Sequence, residues 1–217
     1  MPTLTKISIS ILMAVYNTPF IQIKRAIKSV LAQTVSNYEL IILDDGSHED
    51  IATELKNYIR DFANQIIYLQ HQNIGQSKSI NRGITLSRGT FITILDADDE
   101  YKPNHLELCM QQMLHYDLIA STTTTIVNSD ADYFVTDKHN SQKLVHVDDC
   151  ILFATLFGKK EVFETLKFED KYAADAYFYE KADEHFLVQK VNLRSYIYYR
   201  NSANSITAKM KTKHLSK

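Results

Sequence analysis

The sequence predicts an α/β fold in which a mostly parallel sheet is flanked by helices, with a more irregular second half. Three observations predict it. Apolar runs of strand length alternate with amphipathic stretches of helix length through the first half. The strand runs are apolar on both faces, as parallel strands covered by helices must be. Polar clusters follow the first, second and fourth runs, and this topology gathers them along the carboxyl edge of one sheet, where ligands of such sheets bind.

The elements follow in order. "ISISILMAV" (Ile7–Val15) is a β-rich run closed by the turn signal Tyr16-Asn17-Thr18-Pro19. "FIQIKRAIKSVLAQ" then places Phe20, Ile23, Ile27, Val30 and Leu31 at helical spacing. "YELIILDD" (Tyr38–Asp45) is a second buried strand, closed by Gly46-Ser47. Ile51 to Phe62 reads as a helix with one apolar face, "IIYLQ" (Ile66–Gln70) as a third strand, and Gln76 to Ser87 as a helix opened by Gly75. "TFITIL" is the fourth strand, and a helix-like segment begins at Pro103. From about Asp117 the rhythm weakens. "DLIASTTTTIV" is β-prone, Asn128 to Asp149 is polar and loop-like, and "ILFATLF" is a further apolar run. Lys160 to Leu166 and Asp175 to Phe186 read as helices and "RSYIYYR" as a late strand. With 217 residues, 45% of them hydrophobic, and no repeat or linker, one domain over 1–217 is the simplest organisation.

Composition excludes several classes. The formal net charge of -2 leaves no basic field for nucleic acid. The two cysteines, Cys109 and Cys150, have no metal spacing and read as thiols of a reducing compartment. The sequence shows no signal peptide and no run long enough to span a bilayer, so a cytoplasmic protein is expected. The tail "AKMKTKHLSK" carries four lysines and no acid. It reads as a solvated end, with peripheral contact to an anionic membrane face as the sharper alternative. The five glycines form neither GxGxxG nor GxxxxGK[ST], which disfavours a dinucleotide reductase or a P-loop kinase.

The chemistry concentrates at strand ends. "FITILDADDE" runs a buried strand into Asp96, Asp98, Asp99 and Glu100. Carboxylates this close raise one another's pKa unless a cation lies between them. Mg²⁺ or Mn²⁺ takes one or two carboxylates together with substrate phosphates and water, so this turn suggests a metal that holds a diphosphate. The bland reading is a solvated turn with a helix cap. Asp44 and Asp45 end the second strand, where acids can accept from a nucleobase or ribose, and Tyr16 ends the first, where a ring can stack on a base.

Taken together, "ISILMAVYNTPFIQIKRAIKSVLAQTVSNYELIILDDGS" and "NIGQSKSINRGITLSRGTFITILDADDEYKPNHLE" resemble the nucleotide-sugar domain of family-2 glycosyltransferases, with the GT-A variant of the Rossmann-type fold. The resemblance runs from Ile7 to about Leu114 and rests on the order of Tyr-Asn, Asp-Asp-Gly-Ser, Asn-x-Gly and Asp-x-Asp-Asp. It implies a nucleotide-sugar-binding half over 1–115 and an acceptor-side half over 116–217. It implies that Tyr16 stacks on the base, Asp45 binds its polar edge and Asp44 supports that turn. Asp96 would lie near the sugar or ribose, Asp98 would hold ribose or metal, and Asp99 would stand on the metal side. Asn81 would help fix the donor. Lys78, where many relatives carry Arg, could approach phosphate or be a plain surface lysine.

Such enzymes usually invert the anomeric centre, which requires a carboxylate to take the acceptor proton, and the resemblance implies that this base is an acid at the start of a helix in the acceptor half. "KYAADAYFYEKADEHF" offers Asp175 followed by an aromatic helical run, with Ala174 where relatives commonly carry Glu. Glu169, Asp170, Asp183 and Glu184 are nearby rivals, and a helix cap is the ordinary use of such an Asp. "YYRNSANSITA" resembles a late family segment in which Arg200 meets the diphosphate and Ser205 or Thr207 closes over it, or Arg200 simply ends its strand. The resemblance implies an inverting glycosyltransferase that uses Mn²⁺ or Mg²⁺ and takes a nucleotide-sugar donor, a UDP-sugar first. The acceptor would be a glycan or lipid-linked glycan in bacterial surface polysaccharide synthesis. The alternative is a non-catalytic module that holds nucleotide or glycan, for instance within a polymerase complex.

Overall fold

A computed structural model of the chain describes residues 8–138, 140 and 142–200. The first half follows the expected alternation: β1 (Ile9–Val15), α1 (Phe20–Leu31), β2 (Tyr38–Asp44), α2 (Glu49–Ile59), β3 (Ile66–Gln70), α3 (Gln76–Leu86) and β4 (Phe91–Ile94). The second half contains β5 (Glu100–Tyr101), α4 (His105–Gln112), β6 (Leu118–Ile126), β7 (Phe134–Thr136), β8 (Leu144–His146), β9 (Leu156–Lys159), α5 (Lys160–Leu166), α6 (Ala174–Asp183) and β10 (Val188–Tyr199).

Eight strands form one sheet in the order β3-β2-β1-β4-β9-β6-β10-β5. β1, β2, β3 and β4 pair in parallel, as do β6 and β10. β9 runs antiparallel to both of its neighbours, β4 and β6. That reversal gives β6 and β10 the direction of β4, so the carboxyl ends of β1, β2, β4, β6 and β10 share one edge. β5 closes the far side against β10.

Each face of the sheet buries its own apolar layer. Ile9, Ile11, Met13 and Val15 of β1 face α1, where Ile23, Ile27 and Val30 lie at helical spacing. Leu12, Ile41, Leu43, Ile92 and Ile94 face Ile80 and Ile84 of α3 and Val162 and Phe163 of α5. Burial on both faces is why these strands read as continuous apolar runs.

Two segments of the second half differ from the sequence reading. The run "ILFATLF" is a 3-10 turn, Phe153–Thr155, followed by β9. β9 fits between β4 and β6 because Gly158 has no side chain: a Cβ there would lie 2.8 Å from the carbonyl oxygen of Asp117. The polar stretch before it contains the small hairpin β7–β8, whose strands of three residues are too short to show a period. No helix among the described residues is long and apolar enough to cross a membrane. The basic tail, Ser205 and Thr207 lie outside the described residues.

Candidate active site

The acid loop after β4 is closed by the Asp99 N–H on the Asp96 carbonyl at 3.1 Å and tied to β10 by its side chains and backbone. Asp99 is buried, and its two carboxylate oxygens accept separately from Tyr196 Oη at 2.7 Å and from the Tyr199 N–H at 2.8 Å. The Asp96 N–H donates to the same Tyr196 hydroxyl at 3.3 Å, and Asp96 Oδ1 accepts from the Gln76 amide at 3.0 Å. Arg25 reaches across from α1, donates to the peptide oxygen of Asp98, and lays its guanidinium 3.6 Å from the Tyr199 ring centroid. Its Nε is buried without a hydrogen-bond partner.

This concentration of charge shows in the acids. Burial, then the charges of Asp98 and Asp175, push Asp96 up to about 7, against the Gln76 hydrogen bond. Burial, then Asp96 and Asp98, hold Asp99 well above the ordinary range, although Tyr199 and Tyr196 stabilise its ionised form. Asp98 is raised by burial and restrained in part by its own backbone N–H and by Arg25.

The end of β2 is a scaffold for loops. Asp44 accepts from the Ser47 N–H at 2.8 Å and from the Tyr68 hydroxyl. Asp45 accepts from the N–H groups of Ile74 at 2.7 Å and Gly75 at 2.9 Å, with His71 Nδ1 at 3.4 Å. It therefore fixes the approach to α3, which begins after Gly75 at φ 91°. Asn17, at φ 51°, donates from its N–H to Ser47 Oγ at 3.1 Å and accepts from the His48 N–H at 2.9 Å. These bonds bind the turn after β1 to the turn after β2 and leave the Tyr16 ring 55% exposed above the sheet edge.

Asp175 arrives from the second half. Ala173 adopts the left-handed conformation (φ 55°, ψ 37°) and turns the chain into α6. Asp175 Oδ1 accepts from the Ala176 N–H at 2.8 Å and Oδ2 from the Phe153 N–H at 3.0 Å. The carboxylate is thus oriented by two backbone donors, with burial pushing its pKa up and those donors pulling it down. Together with Gln76, Asp96, Asp99, Tyr196 and Tyr198 it lines an inner pocket of about 210 Å³. Of the rivals, Glu169 bonds Lys171 and Lys181, and Asp170 pairs with Lys78 at 2.8 Å.

Three expected site residues are engaged elsewhere in this structure. Asn81 forms a two-point clamp on the backbone of Phe168: its Nδ2 donates to the carbonyl at 2.7 Å and its Oδ1 accepts from the N–H at 2.9 Å. Lys78 forms the exposed ion pair with Asp170. Arg200 is buried, and its guanidinium donates to the carbonyls of Asp132 and Phe134. Three residues that the sequence did not single out complete the site: Gln76, Arg25 and Tyr196. Gln76 had a faint signal, standing directly after the glycine that opens α3. Arg25 and Tyr196 had none, because they lie 73 and 97 positions from the acids they touch.

Among the described residues, no group of three or more His, Cys, Asp and Glu side chains is placed to hold a metal ion by itself. The half-buried pair Asp96 and Asp98 nevertheless fits a hard divalent cation, since desolvation raises both carboxyls and Mg²⁺ or Mn²⁺ completes its shell with donor phosphates and water.

The family model described as glycosyl transferase family 2 matches residues 10–186. The chain belongs to glycosyltransferase family 2. The matched span of this family-2 chain includes the acid loop and Asp175, whereas Arg200 lies beyond it. Over 116 residues it is 38% identical to an uncharacterized glycosyltransferase of Rickettsia bellii, covering 54% of this chain and 16% of that protein. Over 103 residues it is 37% identical to the putative glycosyltransferase EpsH of Bacillus subtilis, covering 46% of this chain and 28% of that protein. The family-2 chain therefore spans less than a third of either relative. Among solved structures, S. aureus TarS 1-349 in complex with UDP-GlcNAc superposes with a TM-score of 0.67 at 17% identity, over 93% of this chain and 60% of that one. The mannosyltransferase PcManGT of Pyrobaculum calidifontis, in complex with GDP-Man and Mn2+, does so with a TM-score of 0.67 at 14% identity, over 87% and 56%. At these identities the likeness is one of fold, and the fold is GT-A.

Proposed function

We propose that this chain is an inverting, metal-dependent glycosyltransferase. It moves a hexosyl or N-acetylhexosaminyl group from a nucleotide sugar, a UDP-sugar first, to a glycan or lipid-linked glycan in bacterial surface polysaccharide synthesis. The work is done at the cytoplasmic side, where the basic tail could rest on the membrane. The observation that carries the proposal is that Asp96 and Asp175 line one pocket, with the Asp175 charge among the causes that push Asp96 up. Support comes from TarS, crystallised with UDP and with UDP-GlcNAc, and from PcManGT, crystallised with GDP-Man and Mn2+.

In this reading the exposed Tyr16 ring stacks on the base, and the turn held by Asp44 and Asp45 borders it. Asp96 and Asp98 would hold the cation, with Asp99 bracing the loop from the metal side. When bound, Mg²⁺ or Mn²⁺ supplies charge that stabilises the leaving diphosphate. Lys78 could leave Asp170 for a phosphate, Arg200 could border the diphosphate, and Asn81 holds the helix that carries Gln76. Across the pocket, the acceptor hydroxyl oxygen attacks the anomeric carbon and the bond from that carbon to the diphosphate oxygen breaks. The bonding electron pair leaves with the nucleoside diphosphate, and the hydroxyl proton passes to Asp175. The two N–H groups on Asp175 fix its orientation, and its raised pKa makes it a better proton acceptor than a solvated Asp.

The test is calorimetric titration of UDP, with GDP as control, in Mn²⁺ and then in EDTA. UDP binding that requires metal and is lost in Asp98→Ala supports the donor site. Failure of the folded protein to bind either nucleotide in Mn²⁺ would sink the transferase reading. Binding without transfer to any acceptor would favour the non-catalytic module.

A further inference from the structure

Beyond Asp175 the inner pocket opens into a cleft of about 720 Å³ between α6, the β7–β8 hairpin and the segment before β9. The two spaces share Gln76, Leu152, Phe153, Asp175 and Tyr198, so whatever fills the outer cleft reaches the proposed base. The charge of the cleft is one-sided. Among the described residues, Asp137, Asp149, Asp170, Asp175, Glu180 and Asp183 line it, against two lysines, although Asp170 is paired with Lys78. Both lysines are engaged. Lys138 bonds Glu180, and Lys171 pairs with Glu169 at 2.9 Å and lies 3.6 Å from the Tyr177 ring centroid. The rest of the wall is largely apolar and aromatic. Tyr172 is 53% exposed, with its hydroxyl anchored on the Thr136 carbonyl at 3.2 Å.

We infer that this cleft receives a neutral glycan terminus and rejects one that carries a phosphate beside the reacting sugar. The inference rests on the transferase reading and deepens it. A neutral sugar offers hydroxyl donors, which match carboxylates that only accept, and a C–H face, which packs on an aromatic ring. A phosphate offers acceptors and negative charge alone, and in this cleft it meets an excess of like charge with no uncommitted ammonium among the described lining residues. A lipid-linked acceptor fits only when intervening sugars carry its phosphates away from the cleft.

Cys150 provides the readout. It lines the cleft and is part-exposed, whereas Cys109 is fully buried, and these are the only two cysteines of the chain. Iodoacetamide labelling at about pH 8.5, followed by mass spectrometry, reports access to Cys150. The probes are methyl N-acetylglucosaminide and neutral disaccharides against N-acetylglucosamine 1-phosphate, each with UDP and Mn²⁺ present. The neutral sugars should slow labelling at concentrations at least ~10-fold below those the phosphate needs, a gap that Asp149→Asn/Asp183→Asn narrows. Tyr172→Ala should cancel the protection by neutral sugars. Equal or better protection by the phosphate, or no protection by any neutral sugar, overturns the inference. Calorimetry of UDP on the same sample separates the two claims. If UDP fails to bind while neutral sugars still protect, the transferase reading falls and the cleft stands as a glycan-binding surface.

Discussion

The Tyr196 hydroxyl donates to Asp99 at 2.7 Å and receives the Asp96 N–H at 3.3 Å, so one phenol on β10 holds both ends of the acid loop. Tyr196 is fully buried, and its own acidity is suppressed by burial and by these carboxylates. The loop is therefore shaped before any donor arrives. Tyr196→Phe should keep the packing, leave an Asp99 oxygen without its donor, and lower stability by about 1–3 kcal/mol in urea unfolding. UDP affinity should weaken with it, because the backbone of Asp96 also loses its anchor.

Asp175→Asn keeps an oxygen to accept a backbone N–H and removes the proton acceptor. Transfer should fall by about 10²–10⁴-fold in kcat while metal-dependent UDP affinity holds within about threefold. An equal loss of UDP affinity would place Asp175 on the donor side.

Asp96→Asn tests the cost of the acid loop. Asp96 is raised from 3.8 to about 7, so the folded state favours the protonated form and its contribution is lost as pH rises through about 7. At about pH 8 without metal, the folded protein therefore carries an unfavourable carboxylate. Asn keeps the Gln76 contact without that charge. The variant should be more stable than the parent by about 1–3 kcal/mol at pH 8, the gap should shrink toward pH 5, and UDP with Mn²⁺ should protect it less in thermal melts.

His105 gives the opposite slope. It is buried against Tyr101, with Nδ1 at 2.8 Å from Ser195 Oγ, and burial lowers its pKa from 6.5 to about 3. The unfolded chain takes a proton below pH 6.5 that the folded chain refuses, so stability falls as pH drops through that window. His105→Gln should remove on the order of 3 kcal/mol of this loss between about pH 6.5 and pH 4, read from urea midpoints at each pH.

Asn81→Ala separates clamp from ligand. Loss of both hydrogen bonds to Phe168 should destabilise the fold by about 1–3 kcal/mol and change UDP affinity less than about threefold. A large loss of UDP affinity in a protein of normal stability would return Asn81 to the donor site.

The sequence by itself determined the first half of the fold. Buried parallel strands and amphipathic helices leave local periods, so β1 through β4 and their helices could be read within a few residues of their bounds. The position of the acids at strand ends follows from the same alternation, because parallel topology aligns the carboxyl ends of strands. Asp175 was singled out by the resemblance to family 2 rather than by local pattern, and it stands in the first turn of α6.

Only the tertiary structure decided how those residues are used. Asp45 and Asn81 hold backbone donors of distant segments, Ile74 and Gly75 for the one and Phe168 for the other, and Asp44 accepts from the hydroxyl of Tyr68, which no spacing announces. β9 enters antiparallel between β4 and β6 because Gly158 admits the neighbouring chain, and that reversal aligns β10 with β4. β10 can then bring Tyr196 to Asp99 across 97 positions and, with Arg25, fix the loop. The physical reason is one of range: periodicity and turn chemistry act between near neighbours, whereas burial of charge and its neutralisation depend on which distant segments the sheet order makes adjacent.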